Sequence, residues 1–153
     1  MADFSHLKEL DVEASSTAEY TFHQVTVNGK TPVLIVSPAT EANKPYFNAL
    51  LKRSAKTSRQ VRSGNINTGL IEENRDEDRE LYPKHVVKSW RDVIDAKGKD
   101  TPFTVSDCTD FLAALPNWVL DDLFAFCREP SNFAELLDMR IKKGNSSSGS
   151  SGS

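Results

Sequence analysis

Residues 20–27 alternate, with Tyr20, Phe22, Gln24 and Thr26 set against Thr21, His23, Val25 and Val27, the period-2 pattern of a half-buried strand. Asn28 and Gly29 follow; both accept positive φ, as a two-residue type I′ turn requires. An unbroken apolar run, Val33 to Val36, comes next. The pattern predicts a β-hairpin with strands over 20–27 and 30–37, the second the more buried. Residues 1–18 are polar and weakly periodic, and hold a short strand over 7–12 or no regular structure.

After Pro38 the period changes. A helix is expected from Thr40 or Asn43 to Ser54, with Pro45 in its first turn and Phe47, Leu50 and Leu51 as its apolar stripe. Residues 52–62 carry five bases and no acid, and 63–69 read as a loop. Residues 70–82 contain a run charged on all sides, a solvated helix by pattern, which Pro83 stops or kinks. Residues 86–95 fit either period. The Gly98 turn and the return through Phe103 favour a strand.

The last third is helical. Thr104 and Asp107 form a near capping box ahead of Val105, Cys108, Phe111, Leu112 and Leu115. Pro116 breaks that helix and Asn117 is placed to cap the next. The next helix carries Trp118, Val119, Leu120, Leu123, Phe124, Phe126 and Cys127, too broad an apolar band for one face. After Pro130, a third stripe runs through Phe133, Leu136, Leu137 and Ile141. The class is therefore α+β: an N-terminal hairpin with a small antiparallel sheet and a C-terminal cluster of short helices. One domain over 1–143 is expected, made of a hairpin part (18–62) and a strand-plus-helices part (81–143). The Gly, Asn and Ser tail 144–153 has no apolar surface to offset its ordering entropy and is expected to be disordered.

Composition narrows the function classes. The 153 residues are 38% hydrophobic and 27% charged, enough to bury a modest core. A net charge of -3 argues against a general nucleic-acid binder. The basic stretch 52–62 lacks interleaved aromatics, so base stacking is not expected there, and the plain reading is a solvated helix end. Cys108 and Cys127 fall on apolar helix faces with no CxxC spacing, which reads as two reduced, buried thiols. The first residues lack the basic and apolar regions of a secretory signal. No run approaches membrane-spanning length, so a cytoplasmic location is the expected default.

Candidate chemistry is sparse. His6, His23 and His85 lie in separate segments with no nucleophile motif beside them. There is no phosphate-binding loop, no GxSxG and no HExxH. Asp121 and Asp122 diverge by about 100° on a helix and read as a solvated edge. No catalytic residue, metal site or cofactor is expected. The residues left for function are Trp118, Leu120, Phe124, Phe126 and Phe133, candidate anchors for a protein partner. Self-association through charged stretches is a further expectation.

The string Trp90, Val93, Asp95, Gly98, Pro102, Phe103, Thr104, spaced W-x-x-V-x-D-x-x-G-x-x-x-P-F-T, resembles tail assembly chaperones from the tail modules of long-tailed bacteriophages and prophages. The likeness covers residues 81–133, about a third of the chain. It implies a late morphogenesis protein that coats the tape measure protein before tail tube subunits polymerise around it. A virion component such as a decoration, connector or minor tail protein is the alternative that a hairpin-plus-helices domain would suit.

Overall fold

A computed structural model describes residues 1–13, 15–62 and 68–134, the backbone alone at 54–62 and 68–73. Three strands, β1 (Ala18–Thr21), β2 (Val33–Val36) and β3 (Val87–Arg91), form an antiparallel sheet in the order β1-β2-β3. The described helices are α1 (Lys44–Arg62), α2 (Thr68–His85), α3 (Val105–Ala114) and α4 (Asn117–Arg128). All of these lie in one unit, Val12–Ala134. Within it, a single cluster of buried side chains draws on the hairpin and on residues 81–133 alike. Met1–Asp11 falls in a second unit and holds a 3-10 turn, Ser5–Leu10, rather than a strand over 7–12.

The hairpin forms as expected at its tip and differs in its ladder. Asn28 (φ 53) and Gly29 (φ 77) occupy the two-residue turn, and Val27 and Lys30 bridge across it. That register would set Thr21 opposite Val36, yet Thr21 pairs with Val33. The three-residue offset is absorbed at residues 22–25, where His23 N–H donates to the Thr21 carbonyl and Val25 N–H to the Phe22 carbonyl. Pro32 has no N–H to continue the ladder, though its carbonyl accepts from Phe22 N–H. The strands are therefore shorter than 20–27 and 30–37.

One row across the sheet, Tyr20–Leu34–Trp90, is buried throughout and faces the helices. Rings join edge-on beneath it in an unbroken series. Phe103 meets Trp90 at 5.3 Å, Trp90 meets Phe111 at 5.5 Å, and Phe111 meets Phe22 at 5.4 Å. Phe22 meets Tyr20 at 4.8 Å, Tyr20 meets Phe126 at 5.2 Å, and Phe126 meets Phe133 at 6.1 Å. Edge-to-face pairs of this kind add about 0.5–1.5 kcal/mol each beyond area burial. On the other sheet face, Arg91 of β3 reaches across β2 to both Glu19 carboxylate oxygens at 2.8 Å. Both partners are half-exposed or more, so solvent screens the pair.

The ends of the elements meet at a buried polar junction. Ser37 N–H donates to the Val86 carbonyl at 2.8 Å, and the Asn43 amide donates to the His85 carbonyl at 2.8 Å and to Ser37 Oγ at 3.2 Å. Asn43 Oδ1 also accepts from Tyr46 N–H, which caps α1. Ala39 N–H takes the Cys127 carbonyl of α4. With Ser37 and Asn43 buried, these bonds satisfy groups that water cannot reach.

Several expectations are corrected. Helix α1 continues past Ser54 through the whole basic stretch, and among its described side chains Tyr46 is the most buried, with Phe47 and Leu50 half-buried and Leu51 exposed. Helix α2 begins at Thr68 and carries Pro83 inside its last turn, ending at His85. It is not solvated on all sides, because Asp78, Leu81 and Tyr82 are buried. The strand at 86–95 is real but stops at Arg91. An Ile94–Asp100 bridge and the Gly98 turn (φ 83) follow, as the sequence suggests. Pro116, rather than Asn117, precedes α4 as its cap residue and provides no side-chain bond. After Pro130 the described chain forms a 3-10 turn, Pro130–Asn132, and buries Phe133; residues 63–67, the rest of the helix expected there with Leu136, Leu137 and Ile141, and the tail 144–153 lie outside the described residues.

Candidate functional site

The α3–α4 corner is one of the places, with Phe4 and Leu51, where a large apolar side chain is exposed. Thr104 Oγ1 accepts from Asp107 N–H at 2.9 Å and starts α3. Leu115 closes it with a bond to Leu112, and Pro116 turns the chain into α4. Val119, Leu120, Leu123, Phe124 and Cys127 fill the buried face of α4. Trp118, in its first turn, points away and is 64% exposed. Asn117, Asp121, Asp122 and Ala125 are exposed with it, so one α4 stripe (118, 121, 122, 125) is an indole beside carboxylates.

That stripe is held firmly. Arg75 of α2 donates through Nε and Nη2 to the two Asp121 oxygens, both at 2.9 Å, and holds the Asp121 carboxyl below its ordinary range. Arg79 donates to Asn117 Oδ1 at 2.7 Å and to Asp76 at 2.6 Å. The Tyr20 hydroxyl donates to Asp122, and burial together with that carboxylate pushes the Tyr20 hydroxyl pKa up. Bidentate and charge-assisted bonds of this kind fix orientation as well as adding energy.

Beneath the corner lies a second polar group. Asp78 of α2 is buried, accepts from the Tyr46 hydroxyl of α1 at 3.2 Å and from Arg128 of α4 at 2.6 Å. Desolvation raises the Asp78 pKa against the opposing pull of Arg128 and Tyr46. The Tyr46 hydroxyl is pushed up to about 12, first by burial and then by Asp78. One carboxylate thus ties three helices together, and its bonding capacity is turned inward.

Of the sequence-selected anchors, only Trp118 is open to a partner. Leu120, Phe124 and Phe133 are buried and Phe126 is half-buried between Tyr20 and Phe133. The breadth of the apolar band on α4 is explained by the sheet, α2 and residue 133 covering it from several sides. Trp90 is a core residue whose Nε1 donates to the Thr101 carbonyl at 2.7 Å, and Phe103 packs on its ring. Pro102 is exposed on the return segment, and Gly98 lies close enough to the hairpin tip that an added Cβ would sit 3.6 Å from Asn28 Nδ2. Sequence reasoning missed Tyr46, Asp78 and Arg128. Asp78 sits among five other charged residues within 75–80, and nothing in that run marks which one is buried.

The remaining chemistry stays apart. His6 lies on the 3-10 turn, His23 on the exposed loop after β1, and His85 at the end of α2, where desolvation lowers its pKa. Cys108 and Cys127 are buried thiols; burial pushes Cys108 up to about 12 and raises Cys127 as well, so both stay protonated and unreactive near neutrality. Among the described residues no group of three or more His, Cys, Asp or Glu is placed to hold a metal, and no helix is long and apolar enough to cross a membrane.

A small α+β protein presenting one anchored, carboxylate-flanked tryptophan is the class that fold and corner define. The chain belongs to the YdaY prophage protein family, whose model matches residues 41–139, more than half of its length, and it is phage-derived. The match takes in α1 to α4 and β3 and so includes the corner. Neither curated proteins nor solved structures gave a match.

Proposed function

We propose that this prophage protein is a non-enzymatic assembly factor, a tail assembly chaperone that binds apolar helical segments of the tape measure protein in the host cytoplasm. The observation that carries the reading is Trp118: in a molecule whose other large α4 side chains are sealed or half-sealed, it stands 64% exposed on a helix pinned by Arg75 and Arg79. A rigid aromatic on a fixed helix loses little entropy on docking, the property of an interface anchor. Prophage family membership and the W-x-x-V-x-D-x-x-G-x-x-x-P-F-T string support the placement in tail assembly.

Co-expression with the tape measure protein of the same prophage tests it. The wild-type chain is expected to be recovered with that partner, and Trp118→Asp to reduce recovery roughly 30-fold, the equivalent of about 2 kcal/mol for a hot-spot aromatic. Equal recovery of a folded Trp118→Asp variant would remove the corner from the interaction. Mass spectrometry of mature particles separates the roles, because a chaperone leaves the particle and a virion component remains in it.

A further inference from the structure

Two exposed faces of this chain are opposite in charge. Trp118 shares an exposed α4 stripe with Asp121 and Asp122, and the two helices of the corner, Val105–Ala114 and Asn117–Arg128, hold Asp107, Asp110, Asp121 and Asp122 against Arg128 alone, with Arg75 and Arg79 of α2 bonded to Asp121 and Asn117. Arg128 is committed to Asp78, and Arg75 to Asp121. Asp107, Asp110 and Asp122 make no ion pair among the described residues. On α1 the balance is reversed. Its nineteen residues contain Lys44, Lys52, Arg53, Lys56, Arg59 and Arg62 and no acid. Lys44, Asn48, Leu51 and Lys52, spaced i, i+4, i+7 and i+8, are all exposed, with Leu51 51% exposed at the centre. Neither Lys44 nor Lys52 is in an ion pair among the described residues. Arg53 turns to Glu77 and Glu80 of α2 instead.

We propose that the acidic Trp118 face of one copy docks on the basic Leu51 face of α1 of a second copy. Each face offers one exposed apolar anchor, and the charges left without an ion pair among the described residues are acidic on one (Asp107, Asp110, Asp122) and basic on the other (Lys44, Lys52). Like-charged faces would repel, so α4 on α4 and α1 on α1 are disfavoured, whereas α4 on α1 brings opposite charges together. An interface between two different patches is heterologous: each copy that joins presents a fresh α4 face and a fresh α1 face, so assembly proceeds head to tail into a ring or an open chain. Association of this kind weakens as salt screens the charges.

The experiment is analytical ultracentrifugation of the purified full chain, with no other protein present, so the result is independent of the tape measure reading. The wild type is expected to form species larger than a monomer, with the association constant falling at least tenfold between 0.05 and 0.5 M NaCl. Trp118→Asp and Leu51→Asp remove one face each, and each alone is expected to sediment as a monomer while keeping the wild-type circular dichroism. An equimolar mixture is decisive. The Leu51→Asp copy keeps its α4 face and the Trp118→Asp copy keeps its α1 face, so the mixture forms a one-to-one heterodimer and nothing larger. A wild type that stays monomeric at millimolar concentration overturns the proposal. So does a Leu51→Asp variant that assembles like the wild type, or a mixture that remains monomeric. Monomeric Leu51→Asp protein still carries Trp118, so its recovery with the tape measure protein reports that interaction separately from self-association.

Discussion

At Gly29, a single residue controls the hairpin tip through its backbone alone. Its φ is 77°, and a Cβ added there would meet nothing within 4 Å. Replacement by Val therefore carries only the left-handed conformational penalty, at or above the top of the roughly 1–2 kcal/mol range because the residue is β-branched. Thermal melting should show the loss, and Gly29→Asn should recover most of it, since Asn tolerates this region. Trp90→Phe keeps a ring beside Phe103 and Phe111 but removes the donor to the Thr101 carbonyl, at a cost of about 1–3 kcal/mol by denaturant titration. Asp78→Ala leaves the buried Tyr46 hydroxyl without its acceptor and should cost about 1–3 kcal/mol, while the half-exposed Arg128 turns to solvent. These residues divide cleanly by legibility. Asn28, Gly29 and Gly98 could be read from the sequence because their constraint is a local backbone angle. Asp78 could not, because its burial depends on where α1 and α4 land, and those contacts are 32 and 50 residues away along the chain.

Elements show the same division. The types and order of β2 and of helices α1 to α4 follow from periodicity, because a period of 2 or 3.6 is a local property, whereas β3 fits either period and is read as a strand from the Gly98 turn beyond it. The ladder register does not follow from periodicity, since Val27–Lys30 and Thr21–Val33 belong to different registers joined by an irregular loop that alternation alone hides. Helix α4 is the other instructive case. Its sequence announces more apolar surface than one face can hold, and leaves open which side chain stays outside. The position of Trp118 in the first turn, beyond the reach of the sheet, decides it. Opposite stability effects should follow within this one helix. Phe124→Ala opens a cavity against Tyr82, whose ring centroid is 4.5 Å away, and should cost about 3–5 kcal/mol. Trp118→Ala should change unfolding free energy by no more than about 0.5 kcal/mol, as for other surface substitutions. Denaturant titration of both variants checks the pair; a large loss in Trp118→Ala would mean that the indole is part of the core.

For the molecule as a whole, the carboxylates pull stability in two directions with pH. Glu19, Asp95 and Asp121 have folded pKa values below the ordinary value, held there by Arg91, by the Lys99 N–H and by Arg75 respectively. Their contribution is present above the ordinary carboxylate pKa and is lost as pH falls through the folded values. Asp78 has a folded pKa above 3.8. Its contribution is fully present below 3.8 and is lost as pH rises through the raised value, because the folded state binds a proton there that the unfolded chain has released. Asp78→Asn removes this titration. The stability of the wild type relative to Asp78→Asn should therefore grow as pH is lowered from about 6 to about 4, measured by urea titration at each pH. A difference that stays flat would mean that Asp78 titrates alike in both states.

The two tryptophans give the protein a built-in pair of optical reporters. Trp90 is 7% exposed among aromatic rings, and Trp118 is 64% exposed in water. Their emission is expected to separate, blue-shifted for Trp90 and red-shifted for Trp118, with iodide quenching only the second. A Trp118→Phe protein then signals unfolding alone, through Trp90. A Trp90→Phe protein signals occupancy of the α3–α4 corner, by a blue shift and loss of iodide quenching when that corner is covered. Binding and unfolding can thus be followed in one cuvette, without a dye or a tag, and at the concentrations where each takes place.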